Sequence, residues 1–556
     1  MNRETERRFA EIPKVTKERS RFKRPFTHKT TFNTGDIIPI FVDEILPGDT
    51  VSIDVGSVIR MSTPLYPVMD NAYMDIMFFS VPNRLIWEHW QAFWGENEDP
   101  WAQTVEYEIP QIKIPEEGWE AGTIADYMGI PTRVAYQTEM TVNALPFRAY
   151  AKIWNDWFRD ENIKKCANIN LDDATVTGSN GEDYVIDIQL GGKPAKAAKF
   201  HDYFTSCLPS PQKATQPVTL PLGAYAPVGV GDPHNYFKVE ESSYNHILYY
   251  MDRQLPTNNW YNTVMATEGN WTRQATQTNQ QATNVTEVNN MRPVNLWTNL
   301  KEATGVTIQE LRTAFAIQRF YEAQARGGTR YIEFLKSIFG VTSPDARLQR
   351  SEYLGGKRIP INMDQVLQTS ATTDTSVQGR TGAYSCTINS SSIFTKSFTE
   401  HEYLIGICVI RTDHTYQQGL NKMWSRKKWT DFYIPQFAHL SEMPVYIKEI
   451  TAHGDPEAVF GYQEAWAEYR YLPSRVSGAM KTNYPNGSLD AWHYADWYVT
   501  TPTLSPEWID ETTKNVDRTL AVQSSLEHQF IADFYFDTTY VRQMPLYSVP
   551  GLLDHM

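Results

Sequence analysis

Segments in which apolar and polar residues alternate are concentrated near the two ends of this chain, and their placement constrains the fold more than any other feature of the sequence. Near the N-terminus Val51, Ile53, Val55 and Ile59 alternate with Ser52, Asp54 and Arg60. Near the C-terminus Phe530, Ala532, Phe534 and Phe536 share one predicted face, with Gln529, Asp533 and Asp537 on the other. Both patterns are typical of strands with one buried face. Because strands from both ends must meet in one sheet system, they predict an antiparallel barrel or jelly roll.

Two further segments predict strands that are covered on both faces. Residues 73–81 are apolar on both alternating faces except at Asp75 and Ser80, and residues 403–410 form an uninterrupted apolar run. A helix is predicted after the first of these, capped by Asn83 and ended by Gly95. Its tryptophans are expected to pack in the core of the chain; they are Trp87, Trp90 and Trp94.

The middle of the chain has helical patterns and one polar tract. Thr307 and Glu310 form a capping box that predicts a helix to about Ala325, with apolar residues on more than one face, so we expect it to be sandwiched. Further helices are predicted over residues 331–339 and 148–159. Residues 270–290 are mostly Asn, Gln and Thr, which predicts a surface excursion or a disordered segment.

Composition narrows the class of protein. The chain has 556 residues with 13% aromatic residues, 32 prolines and 30 glycines, which favours a mainly β chain with long loops. No apolar run approaches the roughly 20 residues of a membrane helix, and the N-terminus lacks the apolar core of a signal peptide. Four widely spaced cysteines predict reduced structural thiols in a cytoplasmic product; they are Cys166, Cys207, Cys386 and Cys408.

Positive charge is concentrated in an N-terminal arm, residues 1–30. It carries a net charge of +6 on a chain whose total is −14, a pattern of proteins that touch nucleic acid with one end. The alternative is a solvated tail. The candidate DNA contacts are Arg7, Arg8, Lys14, Lys17, Arg19, Arg21, Lys23 and Arg24.

A second basic cluster lies between two indoles at residues 424–429. Single-strand binders combine such cations with aromatic rings that stack on bases. The candidate DNA contacts are Trp424, Arg426, Lys427, Lys428 and Trp429. The alternative is a loop anchored by its tryptophans, whose charges face water or a neighbouring subunit.

Sequence signatures of enzymes are missing. We find no phosphate loop, dinucleotide fingerprint, nucleophile elbow or His-Glu-x-x-His motif. We therefore predict no catalytic residues, no metal site and no cofactor. The best alternative is a carbohydrate-binding or polysaccharide-cleaving β-rich protein that uses paired carboxylates and tryptophan platforms.

Blocks along most of the chain resemble one protein family. They are HKTTFNTG at residues 28–35, VPNRLIW at 81–87, ARGGTRY at 325–331, FGVTSPDARLQR at 339–350, FGYQE at 460–464, AEYRY at 467–471 and VPGLLDH at 549–555. In this order they resemble the major capsid proteins of gokushovirus-like microviruses, which are small icosahedral phages with single-stranded DNA. The resemblance implies an eight-stranded antiparallel jelly-roll barrel with large, partly helical insertions between strands, in a T=1 shell of sixty copies around circular DNA.

The resemblance also implies a layout of domains. After the arm come residues 31–221 as the first part of the jelly roll, 222–296 as a variable insertion that forms a three-fold protrusion, 297–350 as its helical base, and 351–556 as the remaining strands and C-terminal arm. The tip of the insertion is expected to contact the host. The candidate residues are Trp260, Tyr261, Trp271, Arg273, Asn279, Gln280 and Asn284.

The resemblance places the chain in the capsid of a virion, and this location implies its partners. They are further copies of the chain, the DNA genome, a small basic internal DNA-binding protein and a host surface receptor, with no membrane insertion. The resemblance leaves open whether a scaffolding protein and a pilot protein take part. Assembly is expected in the cytoplasm of the bacterial host.

Overall fold

The computed structural model divides the chain into two compact units. One comprises residues 1–213 and 322–556, and the other comprises residues 214–321. The structure describes residues 18–96, 106–133, 140–213, 228–230, 250–252, 263–267, 270–274, 291–293, 296–298, 308–328, 330–342, 344–345, 349–374 and 377–547.

Most of the regular structure is antiparallel strand. The strands of the first unit are β1 (Ser20–Lys23), β2 (Phe26–Phe32), β3 (Ile38–Ile45), β4 (Thr50–Met61), β5 (Ala72–Pro82), β6 (Gln111–Lys113), β7 (Thr141–Asn143), β8 (Val176–Thr177), β15 (Glu352–Pro360), β16 (Met363–Leu367), β17 (Thr381–Ser385), β18 (Thr387–Ser397), β19 (Glu402–Thr412), β20 (Met443–Tyr446), β21 (Val459–Gln463) and β22 (Phe530–Arg542). The second unit contains β9 (Val228–Val230), β10 (Tyr250–Asp252), β11 (Thr263–Thr267), β12 (Asn270–Gln274), β13 (Met291–Pro293) and β14 (Leu296–Thr298).

Helices are short except in one region. They are α1 (Trp90–Phe93), α2 (Ile124–Tyr127), α3 (Leu145–Ile153), α4 (Ile308–Gly327), α5 (Tyr331–Phe339), α6 (Ile447–Ile450), α7 (Pro506–Ile509) and α8 (Lys514–Asp517), and a π-helical turn, Trp154–Phe158, extends α3. The predicted helices over 148–159 and 331–339 are confirmed. In the described part of the chain no helix has both the length and the apolar character needed to cross a membrane.

The first sheet joins the two ends of the chain. Its strand order is β2-β22-β4-β18. Both β1 and β2 pair with β22, each along a different part of it and in one continuous register. This register runs from Ser20 opposite Arg542 to Phe32 opposite Phe530. The alternating patterns are confirmed, because Val51, Ile53, Val55 and Ile59 of β4 and the four named apolar residues of β22 are all buried.

Gln529 departs from the predicted pattern and is fully buried. The prediction that it faces outward with Asp533 and Asp537 is wrong, because β22 begins only at Phe530 and parity does not extend to the residue before it. Its side-chain oxygen accepts hydrogen bonds from the backbone N–H and hydroxyl of Thr34, at 3.0 and 2.7 Å. Its amide nitrogen donates to the backbone oxygen of Thr513, at 2.9 Å.

The second sheet has the order β15-β5-β19-β3. Its central strands β5 and β19 are covered on both faces, as predicted. Both polar exceptions in β5, Asp75 and Ser80, are buried, and Asp75 forms ion pairs with Arg358 at 2.7 Å and Arg411 at 2.5 Å. Both guanidinium groups also lie over the ring of Phe200. Asp75 is therefore accommodated by two partners of opposite charge.

The two sheets share one hydrophobic core. It contains buried residues of β4 and β22 together with residues of β3, β5 and β19. Phe41 and Phe536, from opposite sheets, have ring centroids 5.3 Å apart. A second core lies on the other face of β5 and β19, where α3 packs, and a third surrounds Tyr203, Phe204 and Trp508.

Two predictions about helices are wrong. The continuous helix capped by Asn83 is instead a 3-10 turn, Asn83–Leu85, followed by the single turn α1, and the side-chain oxygen of Asn83 has no hydrogen-bond partner among the described residues. Helix α4 has the predicted position, although Thr307 lies outside the described residues. It is not sandwiched, because Phe315 is 63% exposed and Ile317 and Phe320 are also exposed.

The tryptophans near α1 are divided between core and surface. Trp87 is buried as predicted, but Trp94 is 59% exposed, so its predicted burial is wrong. The Trp94 ring stacks on His401 with centroids 4.7 Å apart. A helix of one turn presents too few positions to bury three indoles on the same side.

Candidate nucleic-acid interface

The cluster at residues 424–429 lies on a loop that is shaped by local hydrogen bonds. Asn421 caps a 3-10 turn, Lys422–Ser425, because its side-chain oxygen accepts from the backbone N–H of Met423 at 3.0 Å. The carboxylate of Asp431 accepts from the backbone N–H groups of Lys427 and Lys428, at 2.7 and 2.8 Å. These two hydrogen bonds lower the pKa of Asp431, with a further contribution from the charge of Lys428.

Four side chains of the cluster project outward. Trp424 is 70% exposed and Trp429 is 68% exposed, and Lys427 and Lys428 are exposed as well. In the part of the chain that the structure describes, neither ammonium group lies within ion-pair distance of a carboxylate. Of the alternative, the two lysines do face solvent, but the tryptophans are not buried as anchors in this subunit, where Trp429 stacks on one described ring, that of Phe437, with ring centroids 6.3 Å apart.

Arg426 differs from its neighbours because its side chain is only 13% exposed. Its guanidinium lies 3.4 Å from the carboxylate of Glu468 and 4.4 Å from the ring centroid of Tyr469. It also lies over Phe432, at 5.4 Å. Arg426 therefore ties the loop to residues more than forty positions downstream.

The downstream segment adds aromatic side chains that sequence reasoning missed. The backbone N–H of Tyr433 donates to the hydroxyl of Tyr469 at 3.4 Å, and the indole N–H of Trp466 donates to the backbone oxygen of Phe437 at 2.8 Å. Phe432, Tyr433 and Tyr469 are each about half exposed. No local signal in the sequence marks Tyr469 as a neighbour of Arg426. We call Trp424, Lys427, Lys428, Trp429, Phe432, Tyr433 and Tyr469 the aromatic–lysine surface.

The basic residues of the N-terminal arm are only partly described. Arg7, Arg8, Lys14 and Lys17 lie outside the described residues. Arg21 and Lys23 belong to β1, Arg19 precedes it, and Arg24 follows it. Arg24 forms an ion pair with Asp43 at 2.6 Å and lies over the ring of Tyr540. From Ser20 onward the arm is thus an edge strand of the first sheet.

The predicted host-contact residues fall mostly outside the described part of the chain. This applies to Trp260, Tyr261, Asn279, Gln280 and Asn284. Trp271 and Arg273 lie in β12, which pairs with β11 so that Trp271 is opposite Ala266 and Arg273 opposite Val264.

Buried ionisable groups elsewhere have structural partners. His414 lies between Asp496 at 2.7 Å and Glu511 at 3.0 Å. Burial alone would lower the pKa of His414, but the two carboxylates outweigh it and raise the pKa to about 10. The charge of His414 also holds the pKa of Asp496 well below its usual range despite burial. Such a fully paired cluster holds segments together.

Two features of the described ranges bear on an enzymatic function: possible metal-binding clusters and the exposure of tryptophans that could serve as sugar platforms. No group of three or more His, Cys, Asp or Glu side chains there could hold a metal ion. Trp87, Trp119, Trp154 and Trp466 are buried and so unable to stack on a sugar, whereas Trp94, Trp424 and Trp429 are exposed. The four cysteines are free, and burial raises the pKa of the thiols of Cys207 and Cys408.

Comparisons with known proteins agree along nearly the whole chain. A family model described as capsid protein (F protein) matches residues 10–552. Capsid protein VP1 of Spiroplasma virus 4 is 42% identical over 540 residues, which cover 96% of this chain and 95% of that protein. Capsid protein VP1 of Bdellovibrio phage phiMH2K is 40% identical, over 99% of this chain and 98% of that protein. Capsid protein VP1 of Chlamydia phage 1 is 36% identical, over 98% of this chain and 97% of that protein.

Proposed function

The chain belongs to the family of phage F capsid proteins, and from that premise we propose that sixty copies of it form a T=1 icosahedral shell around circular single-stranded DNA. The chain is thus a capsid protein of a microvirus. The observation that carries the proposal is similarity to three phage capsid proteins over almost their entire lengths. The function is structural, with no bond made or broken by the side chains.

The subunit is proposed to be an eight-stranded jelly roll with large insertions. In chain order its strands are β2, β3, β4, β5, β15, β18, β19 and β22. Two observations support this: the strands form two four-stranded antiparallel sheets, with a change of sheet at every connection except that between β5 and β15, and those sheets share one core. The connections after β5 and after β19 are the longest, so they supply most of the surface beyond the barrel.

Contacts between copies are proposed to use apolar surface that the single subunit leaves open. On α5, Tyr331 and Phe339 are each 65% exposed, and Val341 beyond it is 53% exposed. Monomeric proteins rarely leave aromatic side chains clustered in this way, whereas the centres of subunit interfaces are rich in them.

The second unit contains the proposed protrusion. Residues 222–296 lie within residues 214–321, whose strands pair with each other as β10-β13, β11-β12 and β9-β14. We propose residues 297–350 as the helical base, and the host surface as the ligand of the tip. Exchange of residues 222–296 between two related phages with different hosts should shift adsorption to the host of the donor. Unchanged adsorption would refute the attachment role.

The N-terminal arm is proposed to organise DNA next to the shell. Sixty arms of net charge +6 carry roughly 360 positive charges, a minor share of genome phosphates that number on the order of thousands. Most of the neutralisation is therefore proposed to come from a small basic internal protein, polyamines or metal ions. Deletion of residues 1–17, which spares β1, should lower the DNA content of particles. Normal packaging and stability would contradict the role.

The proposed assembly is tested by cryo-electron microscopy of the chain expressed in bacterial cytoplasm. We expect closed shells whose reconstruction has sixty subunits, each with strands from both chain ends in one barrel. Small soluble species only, or release of reducing ends from a polysaccharide, would instead support the carbohydrate-active alternative.

A further inference from the structure

We propose that the aromatic–lysine surface binds unpaired DNA by stacking bases on Trp424 and Trp429 and pairing phosphates with Lys427 and Lys428, with Arg426 as a positioning residue. This inference rests on the proposed function, because it takes the packaged single-stranded genome as its ligand. It assigns the roles within the basic cluster and adds residues that the cluster does not contain.

The first support is the unbalanced charge of the surface. Three carboxylates of these two segments have other contacts: Glu468 pairs with Arg426 and Lys422, Glu464 pairs with Arg470, and Asp431 accepts two backbone N–H groups. Among the described residues the ammonium groups of Lys427 and Lys428 form no ion pair, although the charge of Lys428 helps to lower the pKa of Asp431. Phosphates would supply the missing charge, and each phosphate contact releases counterions.

The second support is the exposure of flat aromatic rings beside these charges. Trp424 and Trp429 are each about 70% exposed, and Phe432, Tyr433 and Tyr469 extend the aromatic area. Every base has a π-face, so rings of this kind bind single strands with little sequence preference. In a duplex the bases are already stacked on each other and do not offer these faces.

The third support is that the loop is held in shape before any ligand arrives. Asp431 fixes the backbone of both lysines, and Arg426 joins the loop to Glu468 and Tyr469. Preorganisation of this kind lowers the entropic cost of binding, because the loop does not have to be ordered by the ligand. Because its guanidinium is already committed, Arg426 acts on DNA through the position of its neighbours.

A second copy of the chain is a less suitable occupant. The centres of protein interfaces are rich in aromatic residues but depleted of lysine, so burying Lys427 and Lys428 there would require matching carboxylates to offset their desolvation. Phosphates remain partly hydrated and carry the opposite charge in a regular series along the strand.

The test is a titration of the full-length unassembled chain with a fluorescent twenty-nucleotide oligo(dT) and with a duplex of the same length. We expect tighter binding of the single strand. Trp424→Ala and Trp429→Ala should each weaken it by about 5- to 100-fold, with Trp424→Phe much less affected. Photocrosslinking with bromodeoxyuridine in the oligonucleotide should label the loop around Trp424 and Trp429.

The salt dependence separates phosphate contacts from positioning. Lys427→Gln with Lys428→Gln should reduce the slope of log affinity against log salt by about 1.4, since each phosphate contact on a single strand contributes about 0.7. Arg426→Gln should weaken binding without changing that slope. The matched control, Lys165→Gln with Lys357→Gln, removes two exposed lysines elsewhere and should leave the slope within about 0.3 of its value in the unmodified chain.

Unchanged oligonucleotide affinity in both tryptophan variants, with normal circular dichroism, would overturn the inference. So would loss of shell formation with intact oligonucleotide binding, which would assign the surface to a second copy. Failure of the proposed capsid function is a separate result, because it is read from whether the unmodified chain forms shells in the microscope.

Discussion

Replacement of the buried Glu402 by glutamine should stabilise the subunit at high pH and have little effect at low pH. Glu402 begins β19 and is only 7% exposed, and one of its carboxylate oxygens has no hydrogen-bond partner among the described residues. Burial raises the pKa of Glu402 to about 7, and the nearby Glu400 and Glu352 add to this while Lys396 opposes it.

The magnitude follows from linkage between protonation and folding. Below the ordinary pKa of 4.5 the carboxyl is protonated in both the folded and the unfolded chain, so it imposes no penalty. As pH rises from about 4.5 to about 7, the unfolded chain loses its proton first, and the folded state loses about 3 kcal/mol of stability. Glutamine does not titrate, so the Glu402→Gln variant does not lose this part of its unfolding free energy between pH 4.5 and pH 8.

The assay is urea unfolding of unassembled subunits, followed by tryptophan fluorescence at pH 5, 6, 7 and 8. The difference in unfolding free energy between Glu402→Gln and the unmodified chain should grow by about 2.5 kcal/mol from pH 5 to pH 8. Glu527→Gln removes an exposed carboxylate on a loop and makes the same change in net charge. A difference that does not vary with pH, or equal behaviour of the control, would refute the reasoning.

Three further substitutions test other contacts. His414→Gln should destabilise the subunit by about 3–5 kcal/mol at neutral pH, because Asp496 and Glu511 lose their buried counter-charge. That effect should shrink steadily as pH rises from the ordinary pKa of 6.5 to about 10, where folded His414 also loses its charge, and urea unfolding at pH 7 and pH 10.5 checks it. Asp75→Ala should lower the thermal midpoint more than Arg358→Gln, since Arg411 is largely buried while Arg358 is half exposed, and calorimetry of both variants decides the order. Phe536→Ala should cost about 3–5 kcal/mol and its exposed neighbour Tyr535→Ala about 0.5 kcal/mol; equal losses in urea unfolding would contradict the assigned faces of β22.

The strands were predictable from sequence because their burial repeats with a period set by the backbone. The alternation in β4 and β22 and the apolar runs of β5 and β19 are local patterns, and the structure confirms them. Gln529 was misassigned because its burial depends on Thr34 and Thr513 rather than on a strand period.

The helices and the candidate site depended more on distant contacts. The apolar faces of α4 look like those of a sandwiched helix, but exposure of Phe315 and Phe320 depends on what packs against them. The composition of the cluster at residues 424–429 suggested DNA contact, yet it could not separate Arg426 from Lys427. Only the fold brings Glu468 next to Arg426.

The central position of β22 in the first sheet bears on when the subunit can fold during synthesis. Its partners β2 and β4 leave the ribosome early, yet the strand that fits between them is encoded in the last thirty residues. At about 5–20 residues per second, these early strands wait roughly 25–100 s for it. A chain that ends before Phe530 lacks this strand and cannot complete the sheet between β2 and β4.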